Sequence, residues 1–120
     1  MQRDMELVRK ILLKMEKEGS TKISINLSID GYSMEEIAYH CKMLYEQNLI
    51  SAYKGHYADN SLYSFSIGTL TWEGHDFIDS ISDDGFWRKV KDTLKAKKIP
   101  LTIEAVKMII PVITKTMLDM

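Results

Sequence analysis

Few residues in this chain have the chemistry of a catalytic or metal site, and their spacing narrows them further. His40 and Cys41 are neighbours in Tyr39-His40-Cys41-Lys42. A cysteine nucleophile needs its base within hydrogen-bond reach. Adjacent side chains on a helix point roughly 100° apart, so these two cannot serve each other. Cys41 falls instead on an inner stripe with Ile37 and Leu44 and reads as core. His75, Asp76 and Asp79 lie close enough to meet on one helix. No second His-rich segment accompanies them, and their spacing is not a recognised ligand pattern. One cysteine in 120 residues allows no intramolecular disulfide and argues against a Cys-based zinc site. There is no Gly-rich phosphate loop and no paired-carboxylate site. The expectation is a protein without catalytic residues, metal or cofactor, and not an enzyme.

Charge carries more information. Sixteen Lys and Arg against seventeen Asp and Glu give a net charge of −1, which excludes a uniformly basic nucleic-acid coat. The charge is nevertheless segregated. From Ser33 to Asn48 one cation, Lys42, faces Glu35, Glu36 and Glu46, for a net −2. Glu73, Asp76, Asp79, Asp83 and Asp84 make the following stretch −5. Arg88, Lys89, Lys91, Lys95, Lys97 and Lys98 against Asp92 then make +5. Arg88, Lys91, Lys95 and Lys98 share one side of a helix. Two readings stand: two solvated helix faces, or a basic stripe that contacts nucleic acid or an acidic partner.

The elements that must position these residues follow from periodicity and caps. Arg3 to Glu18 is amphipathic, with Met5, Val8, Leu12 and Met15 on one face, and Gly19 stops it. Ile23, Ile25, Leu27 and Ile29 alternate with polar residues, the pattern of a half-buried strand over Lys22 to Asp30. Ser33-Met34-Glu35-Glu36 is a capping box that opens a helix to about Gln47, with Asn48 suited to a left-handed exit. Ile50 to Tyr57 and Leu62 to Gly68 form a hairpin about Ala58-Asp59-Asn60-Ser61. Thr71 caps a short helix through Ile81, with Trp72, Phe77 and Ile78 as apolar members. Asp83 or Asp84 caps the next helix, Pro100 follows its end, and Thr102 caps the last, which Pro111 should kink. The order is α+β, and a helix running straight into a hairpin suggests a winged helix-turn-helix-like domain with a small antiparallel sheet. The expected division is 1–82 for that domain and 83–120 for a helical extension packed on it as one structural unit.

Two segments carry a resemblance. Tyr39 to Ile50 resembles the end of a winged-helix recognition helix, with Asn48 where glycine is common. Leu70-Thr71-Trp72-Glu73-Gly74-His75 resembles the Leu-Thr-x-x-Gly segment that follows the wing in many bacterial winged-helix proteins. With the Arg3-Asp4-Met5 start, Gly31-Tyr32-Ser33 and the Asp83-Asp84-Trp87 joint, the chain is similar to a family of short uncharacterised proteins of bacteria, phages and prophages. The resemblance covers most of Arg3 to Val90. It implies a winged-helix-like fold and a phage or prophage setting, and it implies no activity.

The leading expectation is therefore a small regulatory protein that binds double-stranded DNA. Tyr39, His40, Lys42 and Met43 would face the groove, Lys54 would sit on the wing, and Arg88, Lys91, Lys95 and Lys98 would reach phosphates. The alternative is a non-enzymatic module that binds a host protein, which the acidic helix with exposed Tyr39 and Met43 suits better than phosphate. The last helix is apolar on more than one face. It closes the core, or it forms a homodimer through Ile109, Ile110, Ile113 and Met117. The most apolar stretch, Ile103 to Leu118, is too short and too charged to span a membrane, and the N-terminus lacks a secretory pattern. A cytoplasmic location is expected.

Overall fold

The computed structural model describes residues 1–19 and 22–119. It is α+β, with five helices and a three-stranded antiparallel sheet among those residues. The chain divides into two compact units, Met1–Ile78 and Asp79–Met120.

In the first unit, α1 (Met5–Glu18) starts where Asp4 accepts the backbone N–H groups of Glu6 and Leu7 at 2.9 and 3.2 Å. It buries Met5, Leu7, Val8, Ile11 and Leu12, and Gly19 ends it at φ 56°. Helix α2 (Met34–Glu46) begins with the reciprocal Ser33–Glu36 capping box and packs on α1. It exits through Asn48 at φ 61°, where Leu49 donates its N–H back to the Leu44 carbonyl at 2.9 Å. β2 (Tyr53–Ala58) and β3 (Ser61–Ile67) form the hairpin. Asp59 and Asn60 both take positive φ, the turn whose twist suits paired strands.

The expected strand over Lys22 to Asp30 is overturned. Only Ser24–Ile25 pairs, as β1 on the outer side of β3, giving the order β1-β3-β2. Ile23 and Ile25 are each 69% exposed, whereas Leu27 is buried. Asn26 is the cause. It sits at φ 52°, donates its N–H to the Phe65 carbonyl and accepts the Phe65 N–H on its side-chain oxygen, both at 2.9 Å. The side chain thereby substitutes for a strand carbonyl while the backbone turns, and the alternation beyond it loses its parity.

Helix α3 (Trp72–Ser80) is anchored at its first turn. Thr71 donates its hydroxyl to the Asn48 carbonyl at 2.6 Å and its N–H to the Leu49 carbonyl at 3.0 Å. The same hydroxyl accepts the Gly74 N–H at 2.9 Å. A Cβ at Gly74 would lie 2.0 Å from the Leu49 carbonyl oxygen, so only glycine lets this turn come so close. These contacts are the physical content of the Leu-Thr-x-x-Gly run. Trp72, expected to be an apolar member of this helix, is 82% exposed. As the first helical residue it lies outside the stripe that buries Phe77 and Ile78.

In the second unit, α4 (Asp84–Ala96) is capped by Asp83, whose carboxylate accepts the Phe86 N–H at 2.8 Å. It buries Trp87, Val90 and Leu94 and packs on α5 (Ile103–Leu118). Thr102 caps α5 by accepting the Ala105 N–H at 3.0 Å, and the helix continues through Pro111.

Candidate nucleic-acid interface

Helix α2 does not present the surface expected of a base-reading helix. Tyr39 and Lys42 are exposed and Met43 is half-buried, but His40 is only 1% exposed. Its Nδ1–H donates to the Glu36 carbonyl at 2.7 Å, and its Nε2 accepts the Asp4 backbone N–H at 2.8 Å. That pairing requires the neutral ring protonated on Nδ1. His40 is thus a buried tie between α2 and the start of α1, and it is removed from the outward set. Asp4 completes the tie by accepting the Tyr32 hydroxyl at 3.2 Å. Burial, with help from the Asp4 carboxylate, raises the Tyr32 pKa above its ordinary value. Around this tie the exposed residues of α2 are Met34, Glu35, Tyr39, Lys42, Tyr45 and Glu46, an apolar and acidic surface with one cation.

Cys41 is fully buried, and burial pushes its thiol up to about 12. A thiol held neutral at physiological pH is no nucleophile. Tyr53, stacked on Phe65, is likewise pushed up to about 12, by burial first and then by Tyr57. His75 is exposed and lies 4.0 Å from the Glu16 carboxylate, on a different helix from the one its neighbours suggested. No group of three metal-ligating side chains occurs among the described residues.

The basic residues gather on α4. Arg88, Lys89, Lys95, Lys97 and Lys98 are exposed. Lys91 is half-buried because its ammonium lies 5.5 Å from the centre of the Trp87 ring. The ring fixes the lysine stem and leaves its charge at the helix surface. Lys98 takes φ 59° just past the helix end, where Ile99 donates its N–H to the Leu94 carbonyl at 2.9 Å. An open depression of about 520 Å³ follows the outer side of α4, with Arg88, Lys89 and Lys97 on its walls and Asp92 between them. Its lining comes from one helix, so it converges no donors from separate elements as an enzyme pocket would. Lys54 is exposed on β2, in the first unit.

The proposed dimer residues separate. Ile109 and Ile113 are 2% and 4% exposed and belong to the core, because they lie on the side of α5 that faces the packed interior. Ile110 is half-buried and Met117 is 47% exposed. Met108, Val112 and Leu118, outside the expected dimer set, are exposed together with Met117, at 53%, 51% and 80%. No helix is long and apolar enough to cross a membrane among the described residues.

The sequence matches the family described as hypothetical protein (DUF2513) over residues 2–100. It is 34% identical over 119 residues to a Haemophilus influenzae protein named "Uncharacterized protein", with 98% of this chain and 99% of that one aligned. No solved structure matches.

Proposed function

We propose, for a chain that belongs to the family described as hypothetical protein (DUF2513), a small non-enzymatic regulator of the phage or prophage kind that binds double-stranded DNA. The observation that carries this reading is α4 and its exit, with six cations and one acid between Arg88 and Lys98. Phosphate neutralisation supplies most non-specific affinity for DNA, and it needs such a surface. The sheet order β1-β3-β2 and the helix-to-hairpin junction at Asn48 support a winged-helix plan in which residues 26–33 replace the usual second helix. That plan would normally assign base reading to α2. The burial of His40 and the net acidity of α2 move the reading toward phosphate contact from α4. A homodimer through α5 is part of the proposal, since paired half-sites are the usual basis of specificity for small regulators.

Binding of a labelled mixed-sequence duplex at 50 mM salt tests the proposal. The double variant Lys91→Gln, Lys95→Gln should bind more weakly than wild type. Absence of wild-type binding at that salt contradicts the proposal, because a phosphate-based mode is strong there.

A second reading rests on the exposed Tyr39 and Tyr45 beside Glu35 and Glu46 on α2, a surface suited to a host protein. It expects a specific protein recovered from nuclease-treated lysate, lost on Tyr39→Ala and kept in the Lys91, Lys95 variant. The opposite pattern supports the DNA reading.

A further inference from the structure

The exposed side of α5 is ordered in a way that the buried side does not require. Glu104, Met108, Pro111, Lys115 and Leu118 are all exposed and follow one another at spacings of four, three, four and three. That is the spacing of a coiled-coil seam, separate from the stripe of Ala105, Val106, Ile109 and Ile113 that faces the interior. Its two charges have opposite sign and lie toward opposite ends of the helix, Glu104 in the first turn and Lys115 in the last.

We propose that this seam pairs with the same seam of a second copy, antiparallel about a two-fold axis between Ile109 and Ile110. This deepens the homodimer reading above and rests on it. In an antiparallel pair the two kinds of seam position meet each other. Glu104 then stands opposite the partner's Lys115, and Met108 opposite the partner's Pro111. The two-fold repeats each contact, as an isologous interface requires. Two apolar layers occupy the centre and an oppositely charged layer closes each end. A parallel pair aligns Glu104 with the partner's Glu104 and Lys115 with the partner's Lys115, so like charges select against it. The second copy is favoured over an unrelated helix because the strip is complementary in charge to its own reverse. Ile109 and Ile113 take no part, since they are buried.

Sedimentation equilibrium of the full chain over a dilution series, with Glu104→Lys, Lys115→Glu and the double exchange, tests the register. Wild type should show a monomer–dimer equilibrium. Each single variant places two like-charge layers in the interface and should weaken dimerisation by about tenfold. The double variant restores both layers with signs reversed and should recover most of that loss. The double exchange is also the worst arrangement for the α5 dipole, with a cation at the N-terminus and an anion at the C-terminus. Recovery in it therefore cannot come from helix stability, and thermal melts of all four proteins control for folding. A wild-type chain that stays monomeric at every concentration overturns both this pairing and the homodimer reading. A dimer indifferent to the single variants, or one not recovered by the exchange, overturns the pairing alone.

Discussion

Replacing Gly74 by alanine should be costly although alanine is the better helix former. A Cβ there would lie 2.0 Å from the Leu49 carbonyl oxygen and 3.0 Å from its carbon. Carbon–oxygen contacts settle near roughly 3.3 Å, so α3 must retreat from the α2 exit by about 1 Å. Both atoms it meets are backbone, so no rotamer change relieves the clash. Retreat stretches the Thr71 N–H bond to the Leu49 carbonyl, now 3.0 Å, and the Thr71 hydroxyl bond to the Asn48 carbonyl, now 2.6 Å. Overpacking costs about 1–3 kcal/mol and a weakened hydrogen bond about 1 kcal/mol. The gain in helix propensity returns about 1 kcal/mol. The net loss should be about 1–3 kcal/mol, a fall in Tm of roughly 4–12 °C for a chain of this size. Urea denaturation followed by far-ultraviolet circular dichroism measures it. Gly85→Ala is the matched control. Its Cβ would meet only the end of the Asp83 side chain, at 3.3 Å, so it should leave stability unchanged or raise it by up to about 1 kcal/mol. Gly74→Ala within about 0.5 kcal/mol of wild type would refute the close approach.

Two further outcomes follow from the first unit. His40→Leu removes the acceptor of the Asp4 N–H and should lower stability by about 2–3 kcal/mol in urea; if α4 carries DNA contact, the folded variant keeps wild-type duplex affinity, and a selective loss of affinity would return His40 to the interface. The raised pKa values of Cys41, from 9.0 to about 12, and Tyr53, from 10.0 to about 12, make stability fall as pH rises. Their stabilising effect is complete below about pH 9, where the folded and unfolded states both hold the protons. It is lost between about 9 and 12, as the unfolded chain ionises first. Stability measured at pH 8 and pH 11 should show the fall, and Cys41→Ala should reduce its slope; an unchanged slope contradicts the assignment.

Features whose cause is local were legible in the sequence. The Ser33–Glu36 capping box, the Asp83 and Thr102 caps, the left-handed Asn48 and the Asp59-Asn60 turn each depend on residues within a few positions, and each stands where its residue types place it. What misled depended on a distant partner. Nothing near Asn26 announces that its side chain will bond Phe65, 39 residues away, and break the alternation of Ile23, Ile25 and Leu27. His40 reads as an outward residue until Asp4, 36 residues away, occupies its Nε2. On α5 the apolar residues exceed one face, and periodicity alone did not separate the buried Ile109 and Ile113 from the exposed Met108 and Val112. The basic segment of α4 was visible as a run of charge, whereas the stacking of Lys91 on Trp87 was not.

The central claim is that α4 meets DNA through its phosphates, and the salt dependence of duplex binding tests it most directly. Arg88, Lys91 and Lys95 share one side of that helix, and Lys98 follows at its exit. Four phosphate contacts give a slope of about −3.6 in log K against log salt, which is roughly a 150-fold loss of affinity between 50 and 200 mM. The Lys91→Gln, Lys95→Gln variant should bring the slope to about −1.8. A wild-type slope near zero, or one that the double variant leaves unchanged, would contradict the account.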